Sequence, residues 1–561
     1  MAASYQLGSG PQNSELQRLF CANDADKGKP CLERGLKVCS GCHLVAYCSK
    51  ECQKQQWKGH RADCKNARFS DGNWRPGWER EDQTTDDAKA AMEQMGKMNG
   101  PKQTVAKYLW GNTPAFDILN LGEEELAEEG GSLSILRGRI DVLLNDLHAV
   151  TVTRNWLMLH LLLKLGKEAI DLVLAIWYST ALTDDQYRFV TEEVMERLEE
   201  ATGVEKVTSF GRSSRLELFT SGLLLLTMSE LATNKVDLPT CLQLRSEEVT
   251  KEPLRRYCRD RRLKGLRACH RQGWQWYNDT GLFLPYKACN AHLKRPNIFL
   301  FWPRVEGLPA GRWPLLDCMD PLKGWKVKDV VDFAQEKRLP KNDLYGSLYF
   351  YLRHLLEKTV ELLERLPITV SLHCEKAHIL APQLLREDRK FDRIDVSNIA
   401  DPKYLGLSKV LNDWAPLLNA KNRNSTLVTH FMVWFDEETV DRAHAAAQTK
   451  LSPDPKQLAR LMEVFNCWAW DESMEIGIFS IVDQSVGFKR FLAKEAGDAC
   501  KRLGVEPRKR HRLVPFVSGF SLEAPFESCH LEMEDDEDYY YAVYVGECQS
   551  VQRYVEWQLK K

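Results

Sequence analysis

Seven cysteines and one histidine crowd the stretch from Cys21 to Cys64, spaced C-x9-C-x7-C-x2-C-x5-C-x3-C-x7-H-x3-C. No other part of the chain constrains its own folding so tightly, and it uses seven of the 17 cysteines. Eight thiolate and imidazole donors suit two tetrahedral zinc ions. Cys39 with Cys42, and Cys48 with Cys52, are compact chelating pairs. His60 and Cys64 stand one helical turn apart and share a face. So short a stretch buries too little apolar surface to fold alone. Metal must supply most of the folding free energy, on the order of 10 kcal/mol per structural zinc. A disulfide scaffold fits less well, because seven cysteines leave one unpaired. The first 20 residues also lack the basic and apolar regions of a secretory leader. A catalytic zinc is disfavoured too, since four protein ligands per ion leave no position for water.

The run AYCSKECQKQQWKGHRADC resembles a MYND-type zinc finger, of fungal type in the wide spacing of its first two cysteines. That family interleaves its ligands. The resemblance therefore implies one ion at Cys21, Cys31, Cys48 and Cys52 and a second at Cys39, Cys42, His60 and Cys64. It also implies an interaction module that receives a protein partner, commonly a proline-containing peptide, near Gln53 and Trp57. The Asn-His-x-Cys motif of SET-domain lysine methyltransferases, which also carry MYND fingers, is absent.

The 561 residues suggest two to four domains. A composition of 43% apolar and 28% charged residues fits a globular protein with a large core. The formal charge of -2 implies no bulk attraction to nucleic acid or to an anionic membrane, so neither is expected as a partner. The most apolar long window, Trp156 to Tyr178, carries His160, Lys164, Lys167, Glu168 and Asp171, and so reads as core helix instead of a membrane span. The basic run Lys251 to Arg271 and the acidic run Glu532 to Asp538 read as solvated faces. Thiolate ligands and lone cysteines fit a reducing compartment, cytoplasm or nucleus.

Composition shifts divide the chain into a polar tail (1–16), the finger (17–67), a linker (68–104) that separates two cores, an α/β domain (105–435) and a C-terminal extension packed on it (436–561). Strands are expected at Ile140–Leu144, Ile368–His373, Phe391–Ser397 and Thr426–Phe435. Helices are expected at Thr153–Leu165, Glu168–Tyr178, Ser221–Leu231, Leu254–Gln272, Leu344–Leu366 and Asp454–Trp470. The aromatic run Tyr539–Gly546 reads as a further strand. Alternating strands and helices imply a mixed sheet covered on both faces.

Three pieces of this region carry a second resemblance: YLWGNTPAFDILNL, IDVLLNDLHAVTVTRNWLMLHLLL, and FDRIDVSNIADPKYLGL with the preceding LYGSLYFYLRHLL. Together they resemble a domain of unknown function that follows a MYND finger in many fungal proteins, related to a domain of animal dynein-arm assembly factors. That domain is similar to Rossmann-type S-adenosylmethionine methyltransferases. The resemblance implies a methyltransferase-type sheet with Asp146 at the cofactor-ribose position and Ser397, Asn398 and Asp401 at the end of a neighbouring strand. From the residues alone, Asn145 and Asp146 also read as the cap of the helix that follows. The family's Gly-Asp-x-Arg-Asn turn is missing. Only Arg137 to Arg139 separate SLSIL from IDVLL, whereas a parallel crossover needs about a dozen residues. The expectation is a zinc-binding adaptor or scaffold whose α/β domain is not catalytic and does not use S-adenosylmethionine. The alternative is an S-adenosylmethionine-dependent methyltransferase.

Overall fold

The computed structural model describes residues 21–66, 110–120, 139–435 and 485–560, apart from short stretches within them such as 24–30, 201–205, 251–262, 302–319 and 523–535. The tail, the linker, the helix expected at Asp454–Trp470, most of the basic and acidic runs and the SLSIL segment lie outside the described residues. The chain forms two compact units. The first takes in Met1–Trp110, Leu133–Leu322 and Asp329–Cys374, and the second Gly111–Ser132, Lys323–Lys328 and Glu375–Lys561.

In the first unit, the finger contributes a hairpin of β1 (Lys37–Val38) and β2 (Ala46–Tyr47) followed by helix α1 (Lys50–Cys64). Ser49 begins α1 because its hydroxyl accepts the Cys52 amide, and Glu51 complements the positive helix start. After the finger, β3 (Ile140–Asn145) leads into α2 (Ala149–Leu165) and α3 (Ile170–Tyr178). Then come β4 (Ala181–Thr183), α4 (Asp184–Glu200), β5 (Lys206–Phe210), β6 (Ser214–Leu218), α5 (Gly222–Thr233), α6 (Ala268–Thr280) and β7 (Leu293–Pro296). The long helix α7 (Leu344–Arg365) and β8 (Ile368–His373) complete the unit.

Its main sheet has the order β3-β8-β6-β5. β8 runs parallel to both β3 and β6, whereas β5 and β6 are antiparallel. The apolar run IDVLL read as a buried strand, but β3 is half-exposed and lies at the edge of the described sheet. The buried central strand is β8, whose ITVSLH has β-branched and leucine residues facing both sides. Helices α2 and α3 are apolar nearly all round, and several of the polar groups they carry are paired: His160 and Lys164 both reach Glu193, and Asp171 meets Arg353 and the Tyr349 hydroxyl. Gly281 ends α6 in the left-handed region, at φ 66°. A Cβ there would come within 2.2 Å of the Thr180 side chain, so only glycine fits.

The second unit has helices α8 (Ala377–Arg386), α9 (Leu407–Trp414) and α10 (Ser485–Leu503) and a sheet of order β11-β12-β10-β9. Its strands are β9 (Arg393–Asp395), β10 (Thr426–Phe431), β11 (Val505–Pro507) and β12 (Arg553–Leu559). Only β9 and β10 pair in parallel. The strands expected near Phe391 and Thr426 therefore share a sheet with the C-terminal strands, and Ile368–His373 belongs to the other sheet. The aromatic run Tyr539–Gly546 is not a strand. It is a short helix, Asp536–Tyr539, continued by a π-helical turn, Tyr540–Val545, which buries Tyr540, Tyr541 and Val545. Helical packing of those three overrides the β preference of their side chains. Among the described residues no helix is long and apolar enough to cross a membrane.

Candidate metal centre

The finger's hairpin and helix bring the eight donors into two groups. Cys21, Cys31, Cys48 and Cys52 form one, and Cys39, Cys42, His60 and Cys64 the other, with ligand atoms within 4.8 Å of one another in each. In the first group the Sγ atoms of Cys31 and Cys48 are 3.8 Å apart, those of Cys48 and Cys52 3.4 Å, and those of Cys31 and Cys52 3.9 Å. In the second, the sulfurs of Cys39 and Cys64 are 3.8 Å apart, and His60 Nε2 lies 3.4 Å from Cys39 and 3.5 Å from Cys42. A disulfide would bring two sulfurs to about 2.05 Å. A tetrahedron with Zn–S bonds of about 2.3 Å has edges of about 3.8 Å. The spacing therefore matches four ligands around one small cation, twice.

The electrostatics agree with that chemistry. Burial pushes the Cys21 and Cys42 thiols up to about 12, so their thiolates need a cation beside them. A hydrogen bond from the Asn23 side chain draws Cys52 down to about 7. Burial also holds His60 below its ordinary value, which keeps the imidazole neutral, the form that binds metal. Tyr47 supports the helix, donating to Gln56 Oε1 at 2.7 Å. Gly41 belongs to the knuckle because a Cβ would lie 2.8 Å from the Cys64 sulfur. Gln53 and Trp57 are half-buried, and the Trp57 ring packs edge-on to His60, 5.9 Å between centroids.

The finger is not set apart from the rest of the first unit. Cys21, Cys39, Leu44, Val45 and Tyr47 share a buried cluster with Tyr286, and Trp276 packs against it. Asn342 makes two links. Its Nδ2 donates to the Cys42 carbonyl at 2.7 Å and its backbone amide to the His43 carbonyl at 3.2 Å. Lys287 pairs with Asp63 on α1. These contacts are fixed from behind by Asp343, the N-cap of α7. One of its carboxylate oxygens accepts the Gly346 amide at 2.9 Å, and the other accepts the Tyr286 amide at 2.7 Å. The Tyr286 hydroxyl in turn accepts from Gln272 at 2.9 Å. A Cβ at Gly346 would fall 2.1 Å from the Asp343 carboxylate, which explains glycine in LYGSLYF. None of these supporting residues stands out in the sequence. Asp343 before an amphipathic run is a cap signal, but nothing in its spacing points to the finger.

The other expected site residues are engaged locally. Asp146 follows β3, and its Oδ1 accepts the His148 amide at 2.7 Å, a turn that leads into α2 with His148 at the N-cap. In the second unit, the Ser397 amide donates to Asp395 at 2.8 Å, and Asp401 accepts the amides of Met432 and Val433.

Comparison with known proteins defines the class of the finger. The MYND finger family matches residues 28–64. Those residues include Cys31 and exclude Cys21, which the fold returns to the same group. An Arabidopsis thaliana protein, "Ubiquitin carboxyl-terminal hydrolase 19", is 37% identical over 67 residues, 12% of this chain and 10% of that protein. "SET domain-containing protein 14" of Caenorhabditis elegans is 57% identical over 30 residues, 5% of this chain and 7% of that protein. A SET and MYND domain-containing protein of Dictyostelium discoideum is 54% identical over 41 residues, 7% of this chain and 8% of its own length. The chain thus spans a tenth or less of each of these relatives. No solved structure matches it. Residues 28–64 are a MYND zinc finger, followed by helix-and-sheet units with mixed sheets.

Proposed function

We propose that this chain is a zinc-dependent protein-interaction protein, an adaptor or scaffold, whose finger holds two structural zinc ions. One ion takes Cys21, Cys31, Cys48 and Cys52, and the other Cys39, Cys42, His60 and Cys64. The observation that carries this reading is the pair of four-donor groups at tetrahedral spacing, with no water position left over for catalysis. The finger captures a protein partner, a proline-containing peptide being the expected type, at the α1 surface around Gln53 and Trp57. The α/β body is a methyltransferase-like scaffold without catalysis. Asp146 supports that reading, because one of its oxygens is already committed to the His148 amide.

Native mass spectrometry tests the first part: two zinc ions per chain, falling to one in Cys39→Ser or His60→Ala. One ion or none in freshly prepared protein refutes the eight-ligand assignment. Peptide capture is tested with Gln53→Ala, which leaves the zinc content intact and weakens partner binding. Calorimetric titration with S-adenosylmethionine tests the body: tight binding that is lost in Asp146→Ala would establish the methyltransferase reading instead.

A further inference from the structure

The start of α2 buries polar groups that meet no partner among the described residues. Arg154 is 1% exposed, yet its Nε and Nη1 meet no acceptor among the described residues. Thr151, on the same helix face one turn earlier, is 6% exposed, and its hydroxyl has no partner there either. Trp110 is 6% exposed and its indole N–H is likewise unanswered. Trp110 and Arg154 share Tyr178 as a neighbour: the Trp110 ring lies 5.1 Å from the Tyr178 ring, and Arg154 interacts electrostatically with Tyr178 and Asp146. Phe283 closes on the same tyrosine at 4.9 Å.

A buried guanidinium with open N–H groups is costly, and folded proteins answer such groups with an acceptor. Burial draws Arg154 down to about 10, with Tyr178 and Asp146 opposing the fall, so it remains a cation at neutral pH. Every unanswered nitrogen here is a donor, which calls for an acceptor-rich, anionic guest. We propose that Trp110, Thr151 and Arg154 form a binding site for a small carboxylic acid, whose carboxylate accepts from Arg154 and from the indole N–H of Trp110. A carboxylate fits better than a phosphate. The rings of Trp110, Tyr178 and Phe283 are neighbours, and Arg154 supplies the one cation among these residues. Asp146 already offsets part of its charge, so a monoanionic group is matched and a dianion is not. The proposal is independent of the zinc finger's role, since the site shares none of the finger's residues.

The experiment uses the full zinc-loaded chain. Propionate, L-glutamate and sulfate are titrated at equal ionic strength, with melting temperature and calorimetric heat as readouts. Propionate or glutamate should bind and raise the melting temperature, and sulfate should not. Glutamate binding more tightly than propionate would mark the guest as an amino acid; the reverse would mark a simple monocarboxylic acid. Arg154→Met should weaken binding about ten- to a hundredfold, the worth of a charge-assisted hydrogen bond. It should not lower the stability of the unliganded protein, because it removes a buried unpaired charge. Trp110→Phe keeps the ring against Tyr178 and removes only the N–H, and should weaken binding about three- to tenfold; it stands as the test should Arg154→Met not fold. Absence of binding by both carboxylates, equal stabilisation by sulfate, or unchanged affinity in the variants would each overturn the site.

Discussion

Asn342 joins the metal centre to the α/β body through the Cys39–Cys42 knuckle, and Asn342→Ala isolates that link without touching any donor. The side-chain bond to the Cys42 carbonyl is 2.7 Å long and belongs to a residue only 8% exposed. Its loss removes a net contribution of about 0.5–1.5 kcal/mol and leaves a sheltered carbonyl unsatisfied, for a total of roughly 1–3 kcal/mol. Without metal, the Cys39–Cys42 knuckle keeps only its backbone bonds, such as the His43 amide to the Cys39 carbonyl at 2.9 Å, and holds less firmly the shape that Asn342 recognises. The contact therefore favours the metal-bound finger and adds to its zinc affinity. The substitution should weaken zinc binding roughly 5- to 150-fold at the Cys39, Cys42, His60 and Cys64 group. Stepwise competition with a coloured chelator measures this, with Cys31→Ser and Cys39→Ser chains, each lacking one ion, assigning the signal of each group. The ion at Cys21, Cys31, Cys48 and Cys52 should keep its affinity. Equal weakening of both ions, or of neither, would refute the reasoning.

Zinc removal should reach beyond the finger: Trp276 packs edge-on to Tyr286, 5.8 Å between centroids, so chelation should change the tryptophan fluorescence, and Trp276→Phe should remove most of that change. Gly281→Ala forces a Cβ into Thr180 at a positive φ and should destabilise the first unit by about 1–3 kcal/mol, read from denaturant midpoints. Burial raises Asp343 to about 7, above its ordinary value of 3.8, so the folded state holds a proton that the unfolded chain releases between those values. Stability of the first unit should then fall as pH rises from about 4 through about 7, and Asp343→Asn should flatten that slope in thermal melts across the range.

The finger was legible because chelation imposes fixed spacings. Two close cysteine pairs and a histidine-cysteine pair one turn apart leave few geometries, and the fold realises the interleaved grouping that the resemblance implied. Helix α7 was legible for a similar reason: it keeps its apolar period over Leu344–Arg365, and Asp343 marks its start. Helices α4, α8, α9 and α10 were not read, and the helix expected at Leu254–Gln272 appears among the described residues as Ala268–Thr280. What could not be read was partnership at long range. Asn342 and Cys42 are 300 residues apart, and an asparagine ahead of a helix looks the same whether it meets solvent or a zinc knuckle.

The sheets show the same limit from the other side. A strand's apolar pattern says how much of it is buried, but it does not name its neighbour. Ile368–His373 and Thr426–Phe431 are both fully apolar or small in the positions that matter, and both read as interior strands of one sheet. Yet the first pairs with Ile140–Asn145 and Ser214–Leu218, and the second with Arg393–Asp395 and Arg553–Leu559. The choice rests on contacts a local pattern cannot carry. Glu556 on β12 is one. It is fully buried and accepts the amides of Arg512, Leu513 and Val514, while Trp557 donates to Thr429 at 2.9 Å. A carboxylate placed among three converging amides fixes the strand's position more strictly than the leucines beside it can, because a slip by one residue would leave both the charge and the amides buried without partners.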